Sequence, residues 1–115
     1  MRTGDDIRER TFRFACDVAV LCDALAVKDF SARRIATQLV RSSSSIGANL
    51  EEADAAQSRP DFISKCSISL KEARESHYWL RMLLKTGKLS DDTLVDECNQ
   101  IVAILTTIVR KTRGE

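Results

Sequence analysis

Two groups of side chains between residues 42 and 85 have the types and spacing to do chemistry. Glu51, Glu52, Glu72 and Glu75 are carboxylates that could pair for acid–base work, and His77 is the single histidine of the chain. Catalysis with such groups needs a nucleophile or a second proton carrier held against them. A di-iron bundle needs a Glu-x-x-His pair from each of two helices plus two further glutamates. Here the residue three before His77 is Arg74, so that motif is missing. The G-x-S-x-G turn of a serine hydrolase is also missing. So are the strand and glycines of a phosphate loop around RSSSSIGANLEEA, residues 41–53. The four cysteines, Cys16, Cys22, Cys66 and Cys98, show no C-x-x-C pair, which argues against a zinc site or a disulfide framework. The expectation is a chain that is not an enzyme, with no catalytic, cofactor-binding or metal-ligating residues. The carboxylates then act structurally, with Asn49, Arg74 or Lys71 as the expected partners.

Binding chemistry is better represented. Ile68, Glu72, Glu75, Trp79 and Met82 recur at steps of three and four, which places them on one face of a helix. A tryptophan flanked by apolar residues outside a core seam suggests a subunit interface. The alternative is that Trp79 covers the edge of its own fold. A second face reads Lys71, Arg74, Tyr78, Arg81 and Lys85, bases around an aromatic, which could hold a nucleic-acid backbone and stack a base. The alternative there is a solvated helix face. The 18 Lys and Arg against 17 Asp and Glu leave a net charge of +1, far from the basic excess of a dedicated nucleic-acid binder. RNA or DNA binding is therefore expected to be weak and salt-sensitive.

These faces need long helices to carry them. The chain has 115 residues, 43% apolar and 30% charged, with one proline and four glycines. That is the balance of one globular domain, 1–115, with few turns. No apolar run approaches the roughly 20 residues of a membrane span, and the opening MRTGDDIRERTF lacks a secretory apolar core. A reduced, cytoplasmic protein without a membrane partner is expected.

Ile7, Thr11, Phe14, Val18, Leu21 and Leu25 mark a first helix from about residue 6 to 27. KDF at 28–30 breaks it, with Ser31 as candidate N-cap of the second. The second stripe is Ile35, Leu39, Ser42, Ile46, Asn49 and Ala53. It runs through the serine run without losing phase, so residues 41–53 are expected to be continuous helix. Serine and glycine weaken a helix locally, but small side chains let a neighbouring helix come close. Ser42, Asn49 and His77 are thus expected to form a structural polar core, with Asn49 able to fix helix register.

In QSRPD, residues 57–61, Ser58 can cap a third helix and Pro60 fits its first turn. Its stripe is Ile63, Cys66, Leu70, Ala73, His77, Leu80 and Leu84, with Gly87 as the stop. Ser90, Asp91 and Asp92 open a fourth, carrying Leu94, Cys98, Ile101, Leu105 and Ile108 into a basic tail. Four long helices with short links predict an all-α, antiparallel up-down-up-down four-helix bundle.

Residues 38–84 carry SSIGANLEEA on helix two, the S-R-x-D-F-I link and SLKEARESHYWL on helix three. With these features the chain resembles the bacterial four-helix-bundle family labelled as large-subunit ribosomal RNA intervening-sequence proteins. That family is similar to the accessory variability determinant of diversity-generating retroelements, a basic pentameric bundle that works with a reverse transcriptase and its RNA. The resemblance implies a ring-forming, pentameric homo-oligomer without established enzymatic activity. It points to a scaffold or adaptor with an unidentified protein partner. A nucleic-acid accessory role with an RNA-processing or reverse-transcribing partner is the alternative.

Overall fold

The punctuation of the chain is set by side-chain and glycine caps. In the computed structural model, which describes residues 3–115 and their side chains from residue 6 onward, four helices follow one another: α1 (Thr3–Ala26), α2 (Phe30–Asp54), α3 (Arg59–Lys85) and α4 (Thr93–Thr112). Met1 and Arg2 lie outside the described residues. Asp29, in extended backbone, caps α2 by accepting the Ala32 N–H at 2.9 Å. Ser31, the expected cap, sits inside the first turn instead, with its hydroxyl on Asp29 Oδ1. A carboxylate accepts orphan N–H groups more strongly than a hydroxyl. Asp29 also takes Lys88 Nζ at 3.2 Å, so it ties the α1–α2 link to the α3–α4 link. Ser58 caps α3 through the Asp61 N–H, with Pro60 in the first turn.

α3 ends in a two-bond glycine cap. Gly87 has φ +75, its N–H donates to Leu84 O at 3.1 Å, and the Lys88 N–H donates to Leu83 O at 2.8 Å. A side chain at this φ is strained whatever the space around it. Gly87→Ala is therefore expected to destabilise the protein by about 1–2 kcal/mol. A urea denaturation midpoint no lower than that of the parent would contradict this reading of the turn.

α1 packs on α2, α2 on α3 and α3 on α4, and α4 closes more loosely back on α1. Pairs at the helix ends fix the antiparallel order. Arg8 near the start of α1 meets Glu51 and Asp54 at the end of α2. Arg59 at the start of α3 donates to Thr112 O at the end of α4. The bundle measures 44 × 23 × 21 Å, and one core runs through all four helices.

Residues 41–53 are uninterrupted helix, so the serine run is the middle of α2. The hydroxyls of Ser42, Ser43 and Ser44 bond back to carbonyls three residues earlier. Gly47 faces α1 closely: a Cβ there would lie 3.3 Å from Thr11 Oγ1, which is itself fixed by bonds to Ile7 O and Arg8 O. On the other side Ser42 is fully buried, and its Oγ lies 2.8 Å from Ser76 Oγ of α3. The small residues let α2 approach both neighbours.

The seam of α3 is rotated from the expected stripe. Cys66, Leu70, Ala73 and Leu80 are buried as anticipated, but Ser69, Ser76 and Leu83 complete the core, while His77 and Leu84 are half-buried. Serine is small enough for close contact with α2, and its hydroxyl finds a partner there: Ser69 Oγ donates to Ile46 O at 2.8 Å. That satisfied bond is what makes a buried serine affordable. In α1, Cys22 is fully in the core and Leu21 only partly; in α4, Val109 is buried where Ile108 is partly so. Cys66 and Cys98 act as small apolar core residues, and burial pushes the Cys98 thiol up to about 12.

Candidate functional site: the two flanks of helix α3

Once the buried side of α3 is assigned, the two anticipated faces lie on its opposite flanks, one beside α2 and one beside α4. The α2 flank is built as a braced platform. Arg41 of α2 reaches across to Glu72 at 3.2 Å and pairs with Glu75 as well. Glu75 Oε2 also accepts the Trp79 indole N–H at 3.0 Å. Trp79 and Met82 are half-buried against the core, and Ile68 is exposed at its edge. The indole hydrogen bond and the Arg41 guanidinium hold the Glu75 carboxyl below the usual glutamate range, against the opposing effect of burial. The same pairing raises the Arg41 guanidinium.

Trp79 is the only tryptophan of the chain, so it reports on this cluster. Because the folded-state value of Glu75 is depressed, its stabilising contribution is complete above the unfolded value and lost as pH falls through the folded one. Acid titration of tryptophan emission is expected to show a step below the usual glutamate range, and Glu75→Gln is expected to remove it. Emission that is flat to acid unfolding in both proteins would contradict the contact.

The α4 flank carries Lys71, Arg74, Tyr78, Arg81 and Lys85, all exposed. Among the described residues, none of these four bases lies within ion-pair distance of a carboxylate. Arg113, the residue that caps the end of α4, joins them by donating to Ser67 Oγ at 3.1 Å. Together Ser67, Lys71, Arg74 and Arg113 rim a cleft of about 260 Å³ with Leu70 and Val109 also in its lining. Nearer the other end, Tyr78, Arg81, Met82, Leu84 and Lys85 line a shallow groove of about 700 Å³. Tyr78 meets Trp79 edge-to-face at 5.2 Å, so the aromatic pair joins the two flanks.

Of the three residues anticipated as a polar core, only Ser42 is buried. Asn49 is half-exposed, and its Nδ2 donates to Ser45 O at 2.8 Å and Ser45 Oγ at 3.0 Å, both within α2. It therefore contacts no facing helix by hydrogen bond and cannot set register; Leu50 fills the core beside it. His77 is half-buried, and burial together with the nearby Arg81 lowers its pKa. The ion-pair partners of the carboxylates are mostly other than anticipated: Glu51 pairs with Arg8, Glu52 with Lys65, and Glu72 and Glu75 with Arg41, while Lys71 acts on Glu75 only through its charge. Arg41, Ser69 and Ser76 were not singled out in the sequence. The antiparallel register of α2 against α3 was the signal that could have placed Arg41. Among the described residues there is no group of three or more His, Cys, Asp or Glu placed to hold a metal ion. No described helix is long and apolar enough to cross a membrane.

Comparison with known proteins matches residues 5–108 to the model of the 23S rRNA-intervening sequence protein family. Among solved structures, the chain is similar to a protein with unknown function from the S23 ribosomal protein family of Bacteroides thetaiotaomicron VPI-5482, solved at 1.70 Å. The two share 33% sequence identity over 95% of this chain and 99% of that one, with a TM-score of 0.86. No curated protein matches the chain.

Proposed function

The chain belongs to the 23S rRNA-intervening sequence protein family, and we propose that it works as a non-enzymatic, homo-oligomeric scaffold or adaptor, with a pentameric ring as the favoured assembly. The α2 flank of α3 carries this reading. Interfaces concentrate aromatic and methionine side chains and usually exclude glutamate. Here Glu72 and Glu75 are already paired by Arg41 on their own subunit, so covering Trp79 and Met82 strands no unpaired charge. The indole is also oriented in advance by Glu75, which lowers the ordering cost of docking. A flank that meets a different surface on the next copy closes into a ring when the rotation permits.

Purification from the native cell with identification of co-purifying protein tests the adaptor role. The expected result is a homo-oligomer carrying a second protein at fixed stoichiometry. Recovery of the chain alone as a single subunit would contradict it.

A further inference from the structure

We infer that the α4 flank of α3, from Lys71 to Lys85 and continued by Arg113 at the C-terminal cap of α4, is a track for a single-stranded nucleic-acid backbone, with Tyr78 as the stacking platform for a base. The assignment goes beyond the scaffold reading and does not depend on it, because every copy of the chain carries its own track.

The net charge of +1 conceals a separation of charge. Arg10, Arg41 and Lys65 are each paired with an acid of a neighbouring helix, and Lys88 with Asp29 of another link, so those acids are already matched. Lys71, Arg74, Arg81 and Lys85 make no such pair among the described residues. Glu75, whose charge Lys71 feels, is already held by Trp79 and Arg41 on the other flank. The track therefore faces solvent as a row of bases without ion-pair partners among the described residues, within an almost neutral molecule.

Its geometry suits a strand. Lys71 to Lys85 covers fifteen residues of α3, about 21 Å of helix from end to end. At one end the row becomes a cleft, where Arg113 reaches from the end of α4 onto Ser67 and where Leu70 and Val109 add apolar lining. In the middle stands Tyr78, 54% exposed yet held edge-to-face by Trp79. An acidic peptide would use the bases but has no need of the ring. A duplex keeps its bases stacked inside, whereas a single strand can place one on an aromatic.

Fluorescence anisotropy of a fluorescein-labelled oligouridine with the full chain tests the assignment. With about four phosphates neutralised on a single strand, affinity is expected to fall about 50-fold between 50 and 200 mM salt. Arg74→Glu with Arg81→Glu is expected to weaken low-salt binding at least tenfold and flatten the salt dependence. Arg13→Glu with Arg34→Glu, the same charge change elsewhere, is expected to have a far smaller effect. Tyr78→Ala is expected to cost about fivefold or more, and Tyr78→Phe to retain binding. Circular dichroism melting of each variant separates these losses from unfolding. Four results would overturn the assignment: no binding at low salt, equal losses in the two double variants, an unaffected Tyr78→Ala, or equal competition by polyglutamate or by an oligouridine–oligoadenine duplex.

Discussion

Replacing Ser42 with leucine will destabilise the fold by on the order of 1–3 kcal/mol, and the loss will appear in both the melting temperature and the urea midpoint. Ser42 is fully buried, and its Oγ lies 2.8 Å from Ser76 Oγ. A leucine must put its branched end where the Ser76 hydroxyl and the α3 backbone already are, so α2 and α3 must separate or adopt strained rotamers. The expected loss is steric rather than polar, because Ser76 Oγ keeps its bond to Glu72 O at 2.9 Å. Ser42→Ala, which removes only the hydroxyl contact, is accordingly expected to cost less, about 1 kcal/mol. Midpoints for Ser42→Leu equal to those of the parent would show that α2 and α3 do not meet through this serine column.

Trp79→Ala will weaken subunit assembly by about 2 kcal/mol or more per contact, roughly a 30-fold loss of affinity, and shift sedimentation toward smaller species. The side chain is half-buried within its own subunit, so some effect on subunit stability accompanies the change. The two roles separate in measurement. If Trp79 only covers the edge of its own bundle, the variant melts earlier but keeps the parent assembly equilibrium. If it anchors a contact, the equilibrium moves at temperatures where circular dichroism shows the helices intact. The second pattern is the expected one.

Helix order, the link at Ser58 and the stop at Gly87 were legible because each rests on local chemistry: apolar period, cap oxygen, and a residue free to take positive φ. The serine run was legible as helix for the same reason, since its apolar phase never breaks. The exact seam was not. Hydropathy ranks Ser69 and Ser76 as surface residues and His77 as a tolerable seam residue, yet the two serines are buried and His77 is not. What decides this is the close approach of α2 and α3, where Ser42 Oγ meets Ser76 Oγ and Ser69 Oγ reaches Ile46 O. Asn49 failed as a register residue because Ser45, one turn earlier, satisfies its amide locally. Both flanks of α3 could be read from spacing alone. Their brace could not, because Arg41 belongs to another helix and meets Glu72 and Glu75 only once the antiparallel register is known.

The proposed closed homo-oligomer is tested most directly by the mass of the protein in solution. Sedimentation equilibrium of the unmodified chain across the micromolar range is expected to return the mass of a pentamer, independent of loading concentration. A single-subunit mass throughout that range would contradict the account.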